Sequence, residues 1–175
     1  MKTLKIVLVG PYLAGKSRFM ATARGIGIPQ QGANVPQDND AKQIGSVATD
    51  VERILLDEEM MIYLFGMPGQ QRFDFMWDVL EEKIHGFIIL FDPQRPETFI
   101  ETRKIIDMVS QKSNAPYILA ATSAEPQQAW AEEAMRRSLS LASQFKFSVC
   151  DINDVASVKK TLLDLLYEIL SKFES

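Results

Sequence analysis

The sequence lacks the features that mark secreted, membrane-spanning or nucleic-acid-binding chains. It has one cysteine, Cys150, so an internal disulfide is excluded. The 19 basic and 23 acidic residues give a formal net charge of −4 and form no long runs, so no basic patch for nucleic acid or an anionic membrane surface is expected. The first apolar run, residues 4–9, is too short for a signal sequence or a membrane span. We expect a cytoplasmic protein with no membrane span and no nucleic-acid partner.

The length and apolar content suit one domain. A chain of 175 residues with 46% hydrophobic residues can bury a core without metal or disulfides, and we predict a single domain over residues 1–175. Short apolar runs alternate with longer segments of helical spacing. The runs predicted to be strands are 4–9, 60–65, 86–91, 117–121 and 145–149. The segments predicted to be helices are 16–24, 70–84, 95–110, 127–143 and 153–173.

This alternation predicts a three-layer α/β fold with right-handed crossovers between parallel strands. Residues 48–65 differ, because two predicted strands flank the acidic turn 57–59 and leave no room for a crossover helix. We therefore predict a six-stranded, mostly parallel sheet with one antiparallel strand. Residues 25–45 contain glycine, proline and amide side chains without an apolar period, and are predicted to be a loop.

A phosphate-binding motif follows the first predicted strand. Residues 10–17 read Gly-Pro-Tyr-Leu-Ala-Gly-Lys-Ser and fit G-x-x-x-x-G-K-[S/T] between a strand and a helix. Backbone N–H groups at a helix N-terminus would surround the β-phosphate, Lys16 would reach the β- and γ-phosphates, and the Ser17 hydroxyl would bind Mg²⁺. The nucleotide-binding residues predicted from this motif are Gly10, Leu13, Ala14, Gly15, Lys16, Ser17 and Arg18.

Beyond this motif, the chain resembles the Ras-like small GTPases. Residues 69–73, Gly-Gln-Gln-Arg-Phe, are similar to the start of their switch II segment. Residues 46–53, 68–70 and 149–151 look most like the bacterial MglA-like branch and its actinobacterial conservon relatives. The resemblance implies a G domain of the P-loop NTPase class, a nucleotide contact from Gly69, and a GDP/GTP switch with Mg²⁺. It also implies slow GTP hydrolysis that a partner stimulates.

Two positions near the predicted metal bear on this resemblance. Gly66 stands where most Ras-like proteins have the aspartate that holds a magnesium-bound water, and the MglA-like branch also tends to lack it. Aligning the segment that begins at Ser46 with switch I makes Ser46 a metal ligand beside Ser17. Thr49 is the alternative if the register shifts by three residues, and a solvated loop hydroxyl is the simpler interpretation of Ser46.

The base-recognition motif N-K-x-D is degenerate in this chain. Residues 122–125 read Thr-Ser-Ala-Glu, so only the acidic end is kept. The resemblance implies that Glu125 accepts guanine N–H bonds, each worth about 1.5–3 kcal/mol, and that Thr122 takes the place of the asparagine. Cys150 and Asp151 stand where relatives offer a backbone N–H to the guanine oxygen, although a buried, inert Cys150 is the alternative. We expect guanine to be preferred, but less strongly than in proteins with the full motif.

Two residues are predicted to act in hydrolysis. Gln70 matches the glutamine that orients the attacking water in Ras-like proteins, the alternative being an exposed glutamine at a helix start. Arg53 aligns with an arginine that MglA-like proteins use as a finger from their own chain, the alternative being a solvent-facing arginine on the hairpin. Tyr12 lies where a large side chain obstructs an arginine finger from a partner.

A partner surface is predicted beside the switch glutamine. Phe73, Met76 and Trp77 follow it at three- and four-residue steps, and Phe75 falls outside this spacing. Packing against the sheet could explain half of these side chains, but at least one should reach the surface. The resemblance implies that a Roadblock-fold regulatory protein docks on this face.

Two other functions are consistent with parts of the sequence. One is a pseudo-GTPase that holds nucleotide constitutively or not at all, favoured by Gly66, Tyr12 and Thr122. The other is a metabolic P-loop kinase, which would need an arginine-bearing lid that the sequence does not show.

Overall fold

Six strands form one sheet in the order β2-β3-β1-β4-β5-β6. The computed structural model describes residues 2–28, 38–67, 81–122, 132–141 and 145–174. β2 pairs with β3 in the antiparallel sense, and the other neighbouring strands are parallel. This confirms the predicted mixed sheet. The strands are β1 Lys2–Val9, β2 Asp50–Leu55, β3 Met60–Gly66, β4 Gly86–Phe91, β5 Tyr117–Thr122 and β6 Phe147–Cys150.

Helices occupy both faces of this sheet. In the part of the chain that the structure describes they are α1 Lys16–Ala23, α2 Asn39–Gly45, α3 Phe99–Lys112, α4 Glu132–Ser138 and α5 Val155–Glu174, with short 3-10 turns at Glu81–Lys83 and Pro96–Thr98. None of these helices combines the length and apolarity needed to cross a bilayer. Most of the helix predicted over 70–84 lies outside the described residues.

The core has two layers, one on each face of the sheet. Successive strand residues point to opposite faces, so Ile6 and Leu8 on β1 pack toward α1 and α5, while Val7 packs toward α2, α3 and α4. Both faces are covered, and for that reason the central strands are continuous apolar runs rather than alternating ones. The arrangement is the three-layer α/β sandwich that the alternation of elements predicted.

One helix was not predicted. α2 lies in the segment 25–45 that the sequence pattern indicated to be a loop. Asp38 is its N-cap and accepts a hydrogen bond from the Ala41 N–H at 3.0 Å. Only Ala41 and Ile44 are buried, and two apolar positions are too few to give a recognisable helical period. The N-cap and the contact with the sheet stabilise this short helix. The loop prediction was therefore wrong for residues 39–45.

The strand order changes direction at β1. The chain leaves β1 for β2 and β3 on one side, and then returns through β4, β5 and β6 on the other. Ligands of open α/β sheets bind at the carboxyl ends of the strands where the order changes direction. Here that place is above β1 and β4, and residues 10–17 lie there.

Candidate functional site

Residues 10–17 turn the chain from the carboxyl end of β1 into α1. Leu13 and Gly15 have left-handed backbone, with φ of 64° and 98°. The turn is closed by a hydrogen bond from the Ala14 N–H to the Pro11 carbonyl at 3.1 Å. Gly15 is the N-cap of α1, and no side chain caps the helix. The first backbone N–H groups of a helix have no intrahelical acceptor, so this turn is suited to an anion.

Close approaches explain both glycines of the motif. A Cβ on Gly10 would lie 2.4 Å from the carbonyl oxygen of Leu90 on β4. A Cβ on Gly15 would lie 2.6 Å from the Cδ1 atom of Ile152. The contact at Gly10 is with backbone, which cannot move aside, whereas the contact at Gly15 is with the end of a flexible side chain. At Gly15 the positive φ adds an independent cost for any other residue.

Lys16 folds back over the loop. Its ammonium donates hydrogen bonds to the carbonyl oxygens of Gly10 at 2.5 Å and Pro11 at 3.2 Å. Burial lowers the pKa of Lys16, and the negative charge of Glu101 opposes this effect. A desolvated cation held inside the loop would gain from a phosphate placed over it, because the phosphate would supply the negative charge that backbone carbonyls supply only in part.

The hydroxyl groups predicted to bind metal have different surroundings. Ser17 is exposed, and its hydroxyl has no hydrogen-bond partner among the described residues. Ser46 ends α2, and its hydroxyl donates to the Gln43 carbonyl at 2.7 Å. The hydroxyl of Thr49, the alternative ligand, donates to the Gly66 carbonyl at 3.0 Å.

These donors fit Mg²⁺ bound mainly through phosphates. Mg²⁺ prefers oxygen ligands, keeps several waters, and often takes only one or two protein ligands beside a nucleotide. Within the described ranges, no group of three or more His, Cys, Asp or Glu side chains is placed to hold a metal by itself. A nucleotide-bound Mg²⁺ would be held through the phosphates, and Ser17, at the start of α1, is the predicted protein ligand.

The residues predicted to meet the base end two neighbouring strands. Thr122, at the end of β5, is buried, and its hydroxyl donates to the Phe91 carbonyl at 3.2 Å. Cys150, at the end of β6, is buried, and burial raises the pKa of its thiol, as expected for an inert cysteine. The N–H of Asp151 donates to the Ser157 hydroxyl at 2.8 Å. That N–H, which the resemblance assigns to the base, is thus engaged within the chain.

The loop after β6 is fastened to α1. The Arg18 Nε donates to the Asn153 Oδ1 at 2.7 Å, and the Thr22 hydroxyl donates to the Ile152 carbonyl at 2.5 Å. These bonds hold Ile152 beside Gly15. The side chain of Arg18 is directed to this loop, so its predicted contact with phosphate rests on its backbone N–H.

Arg53 lies in the middle of β2, opposite Tyr63 on β3. Its side chain is exposed, and in the described ranges no hydrogen bond or ion pair joins it to residues 10–17. A cavity of about 440 Å³ is lined by Arg53 and Arg24. Glu52, the neighbour of Arg53, pairs with Arg24 at 2.5 Å. The predicted role of Arg53 as a finger stays a prediction.

Three predicted site residues, Gly69, Gln70 and Glu125, lie outside the described residues, as does the predicted partner segment 73–77. Their roles as switch, catalytic and base-binding residues stay predictions.

Another cavity lies at the end of the strands that is opposite residues 10–17. Its volume is about 580 Å³, and it is lined by His85, Pro116 and Phe173 among others. His85 and Pro116 directly precede β4 and β5, so the cavity is at the amino ends of the strands. The His85 Nδ1 accepts a hydrogen bond from the Lys5 N–H at 2.9 Å, and burial lowers the pKa of this imidazole. His85 therefore joins β1 to the start of β4.

Two residues near the loop were given no role by the sequence pattern. Ile152 packs against Gly15, and Asp50 lies directly opposite Gly66. No sequence pattern marks Ile152, because its contact with Gly15 joins residues far apart in the sequence. The position of Asp50 could have been found from the sequence, since the turn of the hairpin fixes which residues of β2 and β3 face each other.

Comparison with known families supports nucleotide binding. Residues 42–173 match the protein family described as "Conserved hypothetical ATP binding protein". The chain belongs to this family. The match begins after residues 10–17, so it does not include the predicted phosphate-binding motif. The description names ATP and does not mention Ras-like or MglA-like proteins. Membership of those groups stays a prediction. No curated protein matches the chain.

Proposed function

We propose that the chain binds GDP and GTP with Mg²⁺ at residues 10–17 and works as a molecular switch. The observation that carries this proposal is the position of the Lys16 ammonium inside a left-handed turn at the start of α1. The turn lies at the carboxyl ends of the parallel strands β1 and β4, where the strand order changes direction. Backbone N–H groups, the helix dipole and a cation converge there, as phosphate binding requires.

The proposal also specifies the nucleotide base, guanine rather than adenine. Guanine is favoured by Glu125, the acidic remnant of the Ras-like base motif. ATP is the second candidate, because the family description names it. The engagement of the Asp151 N–H by Ser157 removes one guanine contact unless Ser157 turns away, so a modest preference between the bases is expected.

Hydrolysis is proposed to be slow and to depend on a partner. Gln70 would orient the attacking water, and Arg53 would neutralise transition-state charge once the hairpin and the following segment are held in place. A Roadblock-fold protein on the segment 73–77 would provide that restraint. A scaffold that holds nucleotide without turnover is the alternative, supported by Gly66, which removes an acidic group from the usual metal site.

Direct identification of the ligand tests the proposal. The freshly purified protein is denatured, and any released nucleotide is identified by chromatography. Binding of fluorescent GDP and ADP analogues is then measured for the wild type and for Lys16→Ala, with Lys159→Ala as the control. Lys159 is exposed on α5, remote from the loop. Loss of binding in Lys16→Ala alone supports the proposal, and equal affinity in all three proteins contradicts it.

A further inference from the structure

Asp50 and Gly66 lie opposite each other where β2 begins and β3 ends. A Cβ on residue 66 would be 3.5 Å from the Cβ of Asp50 and 3.8 Å from its Oδ2. The carboxylate of Asp50 is therefore close to the place where an aspartate at position 66 would begin. The chain lacks an acidic group at position 66 and has one on the neighbouring strand.

The same point faces α1. The Cγ of Met20 is 3.8 Å from the position of a Cβ on residue 66. Met20 follows Ser17 by three residues, so the two lie on the same side of α1, about 4.5 Å apart along its axis. Ser17 is the nearer of the two to the phosphate loop. Asp50 and Gly66 therefore face α1 about one turn after Ser17, whose hydroxyl is the predicted metal ligand.

Asp50 differs from the next acidic residue on its strand. Glu52 lies on the same face of β2, and Arg24 neutralises it at 2.5 Å. Asp50 is exposed, and no described residue forms a hydrogen bond or ion pair with its carboxylate. Thr49 holds the start of β2 in register, because its N–H donates to the Gly66 carbonyl at 2.9 Å. A carboxylate that is unpaired within the described part of the chain is therefore held beside Gly66.

We propose that Asp50 supplies the carboxylate missing at position 66 and accepts a hydrogen bond from a water of the nucleotide-bound Mg²⁺. This inference rests on the proposed function. A negative charge beside a divalent cation strengthens metal binding, and outer-shell partners of this kind typically change metal affinity by about 10- to 100-fold.

The experiment measures metal retention rather than turnover. The protein is loaded with a fluorescent GDP or ADP analogue, whichever the wild type retains, and dissociation is followed as Mg²⁺ is varied or removed with EDTA. In Asp50→Asn, the Mg²⁺ concentration for half-maximal retention should rise by about tenfold or more, while dissociation in EDTA should be unchanged. An unchanged Mg²⁺ midpoint overturns the inference.

Two further variants make the result specific. Glu58→Gln removes the same charge at the hairpin turn, at the other end of β2, and should behave as the wild type. Asp50→Asn combined with Gly66→Asp should restore Mg²⁺ retention, since the nearest atoms to a new Cβ at position 66 are at ordinary contact distances. Failure of this rescue in a protein with a wild-type melting temperature contradicts the inference. If the wild type retains neither analogue, the proposed function itself fails.

Discussion

Lys5 and Asp38 form an ion pair in which the Lys5 ammonium lies 2.8 Å from the Asp38 carboxylate. The Thr3 hydroxyl donates to the same carboxylate oxygen at 2.7 Å. Asp38 is also the N-cap of α2, so these bonds join β1 to the helix that ends at Ser46. The position of a predicted metal ligand therefore depends on a polar cluster within the sheet.

This pair should make stability depend on pH in acid. Burial alone would raise the pKa of Asp38, but hydrogen bonds from Lys5 and Thr3 outweigh it and lower the pKa to about 2. Because the folded-state pKa is below the unfolded value of about 3.9, the stabilisation is complete above that value and is lost as pH falls toward 2. At pH 7, Asp38→Asn should reduce the free energy of unfolding by about 2 kcal/mol.

The matched control is Asp40→Asn in the first turn of the same helix. Asp40 is exposed and lies 3.7 Å from Lys83, so its removal should cost less than about 0.5 kcal/mol. Denaturant unfolding of the wild type and both variants from pH 7 to pH 2 measures these differences. A difference between the wild type and Asp38→Asn that does not shrink below pH 4 would show that the charge of Asp38 is not responsible.

The contact between Gly15 and Ile152 allows strain to be separated from crowding. Gly15→Ala should weaken nucleotide binding, because its φ of 98° costs an L-residue roughly 1–2 kcal/mol and its Cβ meets the Ile152 Cδ1. Adding Ile152→Val removes Cδ1 and relieves only the crowding. The double variant should therefore recover part of the affinity, measured with a fluorescent nucleotide. Full recovery would show that crowding causes the whole loss and that the positive φ costs nothing in binding.

Some of the site could be predicted because its determinants are local. The motif over residues 10–17 specifies the turn, its glycines and Lys16 within eight positions. The partner of Asp50 was also predictable, since a hairpin with its turn centred on Glu58 places residue 50 opposite residue 66. The sequence pattern indicated the hairpin, but only the register of β2 against β3 shows that Asp50 lies opposite Gly66.

Other parts depend on contacts between distant segments. Ile152 and Gly15 are far apart in sequence, and no periodicity reports that they meet. α2 exists because Asp38 caps it and the sheet covers Ala41 and Ile44, which are contacts that short apolar spacing does not reveal. The engagement of the Asp151 N–H by Ser157 likewise appears only in three dimensions.

Base selectivity should respond to Glu125. Glu125→Ala should reduce the ratio of GDP to ADP affinity toward one, because on the proposed function it removes the acceptor of two guanine N–H bonds worth about 1.5–3 kcal/mol each. ADP affinity should change little. Glu133→Ala, on α4, removes an exposed carboxylate elsewhere and serves as the control. Competition binding with both nucleotides measures the ratio, and an unchanged preference would mean that the base lies elsewhere.

Hydrolysis should depend on Gln70 even without a partner. Gln70→Ala should lower the single-turnover rate by about tenfold or more, because a misplaced water loses much of the benefit of orientation. Gln71→Ala, at the next position, should leave the rate unchanged. Rates are measured on preloaded GTP, and on ATP if binding favours adenine. A Gln70→Ala protein as fast as the wild type would assign this glutamine a structural role.

Arg53 should affect the rate of GTP hydrolysis only when a partner is bound to the segment 73–77. The exposed side chain makes no described contact with residues 10–17, so Arg53→Ala should leave the intrinsic rate nearly unchanged. With a Roadblock-fold protein from the same genome bound, stimulation should fall by about tenfold or more in Arg53→Ala, since the transition-state charge then lacks its cation. Arg137→Ala, an exposed arginine on α4, should keep full stimulation. Equal stimulation in all three proteins would place the activating charge on the partner, which would have to reach the phosphate past Tyr12.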